Sequence, residues 1–317
     1  MMPVPYVSIN PSKKREVQVV LTYNLDMKIY VIGNGFDIAH GLKTSYADYL
    51  LYIKEHANKD NGWGIILEYY PKDHEFWSDA ETNICNINRQ RFLEPKRAFP
   101  DFCDLDVLLR KIRESFAKFI LEVESHVADI KPKFTLDRNA IYITFNYTDV
   151  LEEVYKIPNN KVIHLHNSVY NSAMKYLFNI DADEIVLGHG PNYRHFVFWA
   201  DQIIGNDKDY ISFRNNTLKN TSSIIAKYGI QEILLRIQKY VDEVVFYGFS
   251  FSPNDQEYVQ TIAMCLPLPI TKYKLYYFVK DGEIEENVIE RFTNNMIKCA
   301  FDINKTTMIN CKDVLAF

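Results

Sequence analysis

The sequence lacks the features of a membrane or secreted protein. No apolar run approaches the ~20 residues that a membrane-spanning helix requires. Residues 1–26 contain no basic region followed by an apolar region and a small-residue cleavage site. We therefore expect no export signal and no membrane partner, and we expect the protein to be cytoplasmic.

Cysteine is also scarce, and the net charge is not positive. The five cysteines are odd in number and include no Cys-x-x-Cys pair, which argues against a disulfide framework and against a zinc site. The formal net charge is −5, and the early basic cluster Lys13–Arg15 is too short to follow a phosphate backbone. This composition argues against nucleic acid as a partner.

The composition favours a globular protein with a large core. The chain has 317 residues, of which 47% are hydrophobic and 24% are charged, so its length fits one large domain or two modest ones. Short apolar runs, typical of strands buried on both faces, occur at Ile29–Ile32, Ile141–Phe145, Lys161–Leu165, Glu184–Leu187, Glu243–Tyr247 and Tyr273–Val279. Helical patterns separate them, at Ser45–His56, Asp104–Val127, Asp149–Tyr155, Asn220–Val241, Asn254–Cys265 and Glu285–Ala300. This alternation predicts an α/β fold with a parallel sheet that is covered by helices on both faces.

The predicted domain is single and spans residues 27–317. More than a hundred residues separate the first predicted strand from the one at Ile141, and they are helical and aromatic in character, which predicts a helical insertion at about 44–135. Residues 1–26 are expected to be an extension that is either disordered or adds an edge strand through 17–23.

The segment Lys28–Asp37 is the most informative part of the chain. Its apolar run ends at Gly33 and Gly35, and a carboxylate follows where a helix should begin. Glycine allows the backbone to approach a ligand closely, and the N–H groups at a helix start favour an anion. The third glycine of a dinucleotide fingerprint is missing, because Gly41 comes too late, so an ordinary strand-to-helix turn is an equal alternative.

Three further segments place polar residues at the ends of predicted strands: Thr144–Asp149, His164–Asn167 and Tyr247–Asp255. In open α/β sheets, ligands bind at the carboxyl ends of strands, so these groups are expected to converge on one crevice. Capping is the alternative for some of them, because Thr148 or Asp149 could cap the following helix and Ser252 could cap a helix that begins at Pro253.

Asn146, His164 and His166 are the candidate reactive side chains. An asparagine that ends a buried strand must have its amide satisfied, and it often orders a loop or a ligand. The two histidines alternate with apolar residues, so they are expected to share one strand face, with His166 towards the cleft and His164 in a structural role. A histidine pair could hold a metal, but no acidic or cysteine residue nearby in the sequence completes a ligand motif.

These motifs, taken in order, resemble the AbiH family of bacteriophage abortive-infection proteins. The resemblance spans residues 28 to about 260 and is carried by Tyr30–Asp37, Ala39–Gly41, Thr44–Tyr46, Phe145–Thr148, His164–His166, Gly188–Gly190 and Tyr247–Ser250. That family in turn resembles the sirtuin-type NAD-binding fold, which other defence proteins use to destroy NAD. The resemblance therefore implies a Rossmann-like, sirtuin-type sheet and NAD as substrate or ligand.

The resemblance also implies roles for individual residues. Asn146 and His166 would be catalytic, with Asn146 at the ribose and the scissile bond and His166 as the acid–base group. Residues implied to bind the nucleotide are Gly33, Asn34, Gly35, Phe36, Asp37, Thr144, Thr148, Asp149, Gly248 and Ser250. Thr148 stands where the sirtuin pattern has aspartate, and Asn167 stands where both families usually have glycine.

The expected function is hydrolysis of the N-glycosidic bond of NAD in phage defence. This reaction needs no metal, because an amide can fix the ribose and a histidine with a near-neutral pKa can take a proton from water. A non-catalytic sensor of a nucleotide or phage protein is the alternative from another class, and a metal-free nuclease is the third. A phage-derived trigger and a homo-oligomer are the other expected partners.

Overall fold

The computed structural model of the chain describes residues 6–8, 18–20, 27–57, 62–70, 77, 80–84, 105–169, 185–188, 213, 215–266, 271–280 and 282–313. The chain divides into two compact units. Unit 1 comprises Met1–Leu42, His126–His166 and Thr221–Phe317, and unit 2 comprises Lys43–Ser125 and Asn167–Asn220. The predicted insertion at about 44–135 begins where unit 2 begins, and residues 167–220 also belong to unit 2.

Unit 1 contains a parallel sheet of six strands. They are β3 (Met27–Ile32), β4 (Ile141–Thr144), β5 (Val162–His164), β6 (Val241–Tyr247), β7 (Lys272–Tyr277) and β8 (Thr306–Asn310), in the order β5-β4-β3-β6-β7-β8. The chain moves outward from β3 to β5, returns to the centre at β6 and then moves outward on the other side. The strand order therefore reverses between β3 and β6, which is where open α/β sheets bind ligands. The fold is Rossmann-like, as the sequence predicts.

The other two strands, β1 (Tyr6–Ser8) and β2 (Gln18–Val20), pair with each other in an antiparallel sheet of two strands. The described part of residues 1–26 thus forms a small separate sheet and does not extend the large one.

The described residues of unit 1 form six α-helices. They are α1 (Gly35–Ala39), α6 (Val150–Glu153), α7 (Thr221–Tyr228), α8 (Ile230–Ile237), α9 (Gln256–Cys265) and α10 (Glu285–Lys298). One helix was predicted over Asn220–Val241, but the chain breaks there because Gly229 has a φ of +59°, which ends α7 before α8 begins.

One face of the sheet carries the main hydrophobic core of unit 1. Side chains of a strand alternate between its two faces, so Ile29 and Val31 point to this core together with Ile143 and Phe246. Apolar residues of α7 to α10 pack against them, including Ile233, Tyr258, Val259 and Met296. Burial of these strand and helix side chains against each other stabilises the packing of the helices on the sheet.

The opposite face carries a row of stacked tyrosines. The rings of Tyr30 and Tyr142 lie 4.9 Å apart at 6°, and those of Tyr247 and Tyr276 lie 4.0 Å apart at 12°. Phe36 packs on Tyr247 from this side, with ring centroids 5.9 Å apart. The row crosses four neighbouring strands, β4, β3, β6 and β7, and adds cross-strand ring contacts between them.

Most of the described residues of unit 2 are helical. Its helices are α2 (Tyr46–His56), α3 (Gly64–Tyr69), α4 (Ala80–Asn83) and α5 (Leu105–Glu124). A capping box of Ser45 and Asp48 starts α2, because the Ser45 side chain accepts from the Asp48 backbone and the Asp48 side chain accepts from the Ser45 backbone. Tyr49 is buried and its hydroxyl hydrogen-bonds Ser115 of α5 at 2.6 Å.

The predicted strand at Glu184–Leu187 is wrong for the part that the structure describes, because residues 185–188 form no strand. The strand β8 was not predicted, since Thr306–Asn310 is polar and only partly buried, as suits the edge of the sheet. Within the described ranges, no helix combines the length and the apolar character that crossing a membrane would require.

Candidate functional site

A buried carboxyl group lies at the carboxyl end of the first strand of the large sheet. Asp37 belongs to α1 and is only 1% exposed. Its Oδ1 accepts a hydrogen bond of 2.8 Å from the side-chain amide of Asn146, and its Oδ2 accepts one of 2.7 Å from the hydroxyl of Thr148. The loop after β4 thus supplies two donors to the carboxyl group that follows β3.

The segment Thr144–Thr148 has the local structure that this contact requires. Thr144 ends β4, and its hydroxyl accepts a hydrogen bond of 3.1 Å from the backbone N–H of Asn146. This turn sends the side chains of Asn146 and Thr148 to the same partner. The amide oxygen Oδ1 of Asn146 is buried and has no hydrogen-bond partner among the residues that the structure describes. A buried acceptor of this kind calls for a donor from a ligand or from water.

The environment of Asp37 changes its acidity. Burial raises the pKa of Asp37 to about 7, against the hydrogen bonds from Thr148 and Asn146, which lower it. A carboxyl group with a pKa near neutrality exchanges protons readily at physiological pH. Such a shift is typical of a functional site, and Asp37 follows β3, which borders the point where the strand order reverses.

Gly33 and Gly35, which follow β3, allow the backbone at Gly248 to approach closely. A Cβ on Gly35 would lie 2.7 Å from the Cα of Gly248, and a Cβ on Gly33 would lie 2.7 Å from the carbonyl oxygen of Gly248. Gly248 itself has a φ of +59°, which only glycine adopts at low cost. The loops after β3 and β6 therefore pack closely against each other.

Three backbone N–H groups of the loop after β3 donate to protein carbonyl oxygens. The N–H of Gly33 donates to the Tyr247 carbonyl at 3.0 Å, that of Gly35 to the Gly248 carbonyl at 3.0 Å, and that of Phe36 to the Gly33 carbonyl at 2.9 Å. The sequence led us to expect free N–H groups for a phosphate at this helix start. That expectation is wrong for these three groups, because protein carbonyl oxygens accept from them.

The remaining predicted nucleotide-binding residues lie in different environments. Phe36 is buried and packs on His40, with ring centroids 4.6 Å apart. Asn34 and Ser250 are exposed. Asp149 occupies the N-cap position of α6, but its side chain does not cap the helix. Ser252 does cap, accepting from the N–H of Asn254, as the capping alternative predicted.

His166 is not part of β5. That strand ends at His164, and His166 is in the turn that follows. Its ring is 2% exposed and meets the edges of Phe145 and Tyr258, with centroids 5.3 and 6.0 Å away. Its Nε2 lies 3.7 Å from Oδ1 of Asp255. The two histidines were expected to share one face of a strand. That expectation is wrong, because only His164 belongs to β5.

His164 takes part in a second polar cluster. Its Nδ1 donates to the backbone carbonyl of Asn146 at 3.2 Å, and its Nε2 lies 2.9 Å from Oε1 of Glu152 and 3.9 Å from Oδ1 of Asp149. Burial lowers the pKa of His164, but the hydrogen bond to Glu152 and the charges of Glu152 and Asp149 outweigh it and raise the pKa to about 8. The ring therefore carries a proton on both nitrogens near neutral pH.

Sequence reasoning missed Glu152. Twelve positions separate it from His164, and only the return of the chain from α6 to β5 brings the two together. The available signal was its position three residues after Asp149, which places both carboxylates on one side of the first helical turn. Burial also raises the pKa of Asp149 to about 6, with further contributions from Glu152 and Glu153.

Comparison with known proteins supports one family. The family model described as "Bacteriophage abortive infection AbiH" matches residues 29–277, which is well over half of the chain and includes both polar clusters. No curated protein matches the sequence.

Proposed function

The chain belongs to the AbiH family of bacteriophage abortive infection proteins, and we propose that in this defence role it binds NAD or a related nucleotide and hydrolyses its N-glycosidic bond. The observation that carries the proposal is the buried Asp37 carboxyl group, with a pKa of about 7, held by Asn146 and Thr148 at the carboxyl ends of β3 and β4, beside the point of strand reversal. The choice of NAD rests on the resemblance of the motifs to sirtuin-type domains.

The chemistry requires a proton acceptor and a group that fixes the ribose. Hydrolysis passes through a ribosyl cation, which water attacks at C1′ as nicotinamide leaves. Ionised Asp37 would take the proton of the attacking water and would stabilise the cation by its charge. At pH 7 a large share of the group is in this form, because its pKa is near that value.

Asn146 would hold the substrate. Its Nδ2 is already bonded to Asp37, whereas its Oδ1 has no partner in the described part of the chain. This oxygen can accept a hydrogen bond from a ribose hydroxyl or from the attacking water without adding charge. The family resemblance implied the acid–base role for His166, and that role stays a prediction. The environment of Asp37 supports this carboxyl group as the stronger candidate.

A sensor that binds a nucleotide or phage protein without turnover is the second candidate. One observation favours it: the N–H groups of Gly33, Gly35 and Phe36 donate to protein carbonyl oxygens, so they are not free to hold a pyrophosphate. A site without these free N–H groups could still bind a ligand through Asn146.

The test is to incubate purified protein with NAD, with and without phage lysate, and to measure nicotinamide by chromatography. We expect Asp37→Asn and Asn146→Ala to lower the rate at least ~100-fold. Asn139→Ala, in an exposed turn, is the matched control and should keep the wild-type rate. A loss of rate in His166→Ala with full activity in Asp37→Asn would return the acid–base role to His166.

Absence of nicotinamide release under both conditions would contradict hydrolysis. In that case, stabilisation of the protein by NAD, ADP-ribose or mononucleotides in a thermal-shift assay would support the second candidate, because a ligand that binds the folded state raises its apparent stability.

A further inference from the structure

The cluster of Asp149, Glu152 and His164 has the composition of a metal site. One ligand atom from each residue, namely a carboxylate oxygen of Asp149, a carboxylate oxygen of Glu152 and a ring nitrogen of His164, lies within 4.8 Å of the other two. Asp149 precedes α6, Glu152 lies within α6 and His164 ends β5. Two elements of unit 1 therefore hold the three side chains in place.

The imidazole is oriented as it is in metal-binding histidines. Its Nδ1 donates to the carbonyl oxygen of Asn146 at 3.2 Å, which fixes the ring and directs Nε2 towards the two carboxylates. Metal-bound histidines commonly donate their second N–H to a backbone carbonyl in this way, because the bond fixes both tautomer and ring direction.

The carboxylates have capacity for a cation. The second oxygen of Glu152, Oε2, is buried and has no hydrogen-bond partner among the residues that the structure describes. Two carboxylates and a neutral imidazole would together balance the charge of a divalent ion.

The distances are close to those that coordination requires. Ligand atoms around a tetrahedral Zn²⁺ with bonds of 2.0–2.2 Å are roughly 3.3 Å apart. From His164 Nε2, the Glu152 and Asp149 oxygens lie at 2.9 and 3.9 Å. Rotation of the two carboxylates would bring the three ligand atoms, which lie within 4.8 Å of one another, to that spacing.

We propose that Asp149, Glu152 and His164 bind one divalent transition-metal ion of the Zn²⁺ type, with a further coordination position open to water. Binding displaces the proton from Nε2 of His164 to solvent and replaces its hydrogen bond to Glu152. Three protein ligands with an open position are characteristic of catalytic zinc sites. The proposal goes beyond the proposed function and departs from the expectation of a metal-free site. Since His164 holds the carbonyl of Asn146, an ion here would also fix the loop that contacts Asp37.

The experiment is calorimetric titration of chelator-treated full-length protein with ZnCl₂, and separately with MgCl₂. We expect one equivalent of Zn²⁺ to bind and Mg²⁺ to bind much more weakly, because imidazole ligands favour Zn²⁺. Glu152→Gln and Asp149→Asn should each weaken Zn²⁺ binding at least ~10-fold. Glu153→Gln is the matched control, because Glu153 is a neighbouring exposed carboxylate that faces Lys156 at 3.8 Å, and it should leave the affinity unchanged.

A second measurement avoids variants that fail to fold. Wild-type protein titrated with Co²⁺ should develop visible absorption bands of a four- or five-coordinate ion, and Zn²⁺ should bleach them. The proposal is overturned if no saturable site of about one equivalent appears. It is also overturned if folded Glu152→Gln and Asp149→Asn bind Zn²⁺ as the wild type does, because the ion would then be held elsewhere.

Discussion

The side-chain amide of Asn146 donates a hydrogen bond of 2.8 Å to the carboxyl group of Asp37, although 109 positions separate the two residues. The bond joins the carboxyl ends of β3 and β4, which are neighbours in the sheet. It also leaves the amide oxygen of Asn146 buried without a described partner. The polar centre of unit 1 is therefore built by long-range contact.

Thr148 offsets part of the effect of burial on the acidity of Asp37. Its hydroxyl donates to Oδ2 at 2.7 Å and lowers the pKa of Asp37 against the effect of burial. Thr148→Val removes that donor at nearly constant volume, so we expect the pKa of Asp37 to rise above about 7. An NMR titration of ¹³C-labelled aspartate, with Asp37→Asn to assign the signal, measures it. Thr307→Val, at an exposed position, should leave the titration unchanged. An unchanged midpoint in Thr148→Val would contradict the contact.

Gly248 is required for the packing of the two central loops. Its φ is +59°, and a Cβ there would overlap the backbone nitrogen of Phe36. We expect Gly248→Ala to lower the free energy of unfolding by ~3 kcal/mol or more, through backbone strain and overlap together.

Gly282→Ala separates the two effects. Gly282 has a φ of +85°, but among the described residues no heavy atom lies within 4 Å of an added Cβ. Backbone strain alone should cost about 1 kcal/mol there. Urea unfolding of both variants gives the comparison, and equal losses would mean that the loops do not pack as described.

Tyr155 ties α1 to the loop before β4. Its hydroxyl accepts hydrogen bonds of 3.1 Å from the N–H groups of Lys133 and Phe134 and lies 2.7 Å from Nε2 of His40. Tyr155→Phe leaves these groups unsatisfied, and we expect a loss of ~2 kcal/mol or more in the free energy of unfolding. The control is Tyr273→Phe, because Tyr273 is fully buried and its hydroxyl has no hydrogen-bond partner among the described residues. That substitution should be neutral or stabilising, and a larger loss in it than in Tyr155→Phe would refute the assignment.

His40 makes stability depend on pH. Burial lowers the pKa of His40 below its ordinary value of 6.5, against a hydrogen bond to the Phe36 carbonyl that raises it. The unfolded state therefore binds the proton more strongly. The stability that neutral His40 contributes is complete above pH 6.5 and is lost as the pH falls below it.

The measurement compares unfolding free energies between pH 8 and pH 5. Asp37 contributes with the opposite sign over this range, because its raised pKa favours the protonated folded state. The test is therefore the difference from wild type, and we expect His40→Gln to lose less stability on acidification. His126→Gln, at an exposed position, should follow the wild-type curve. A His40→Gln curve parallel to that of the wild type would count against this role of His40.

Unit 2 contains a buried ion pair. Nζ of Lys219 lies 2.8 Å from Oε2 of Glu81, and the lysine side chain is fully buried. Lys219→Met leaves a largely buried carboxylate without this charge partner, and we expect a loss of ~3 kcal/mol or more. Adding Glu81→Gln should recover part of it. Lys156→Met, which breaks the exposed pair with Glu153, should change stability by less than ~1 kcal/mol in the same thermal and urea unfolding experiments. No recovery in the double variant would show that the pair itself is not the cause.

Much of the fold followed from local patterns. Tyr46–His56 and Leu105–Glu124 lie within predicted helices because their apolar residues recur at helical spacing, and five strands of the large sheet begin or end within two residues of apolar runs. The sequence did not predict the helix break at Gly229, since an isolated glycine is tolerated inside many helices. Only the positive φ of Gly229 in the structure shows it. The edge strand β8 was not predicted, because its residues are mostly polar and partly exposed.

The sequence predicted several residues of the candidate site, but it predicted fewer of the contacts that these residues make. Asn146, Thr148 and Asp37 were predicted site residues, and the structure brings them together. The donors of Gly33 and Gly35 were expected to face a phosphate. The N–H of Gly33 bonds to the end of β6 and that of Gly35 to the loop after it, since adjacent parallel strands bring both loops to the same place.

The sequence by itself determined the strand-and-helix alternation, the polar residues at strand ends and the family, because each is written in short stretches of residue types and their spacing. Only the tertiary structure decided that Asp37 is desolvated, that Glu152 and Asp149 meet His164, and that His166 lies beside Tyr258. These properties depend on which distant side chains exclude water or share charge. That information comes from the packing of the sheet and cannot be read from neighbouring positions in the chain.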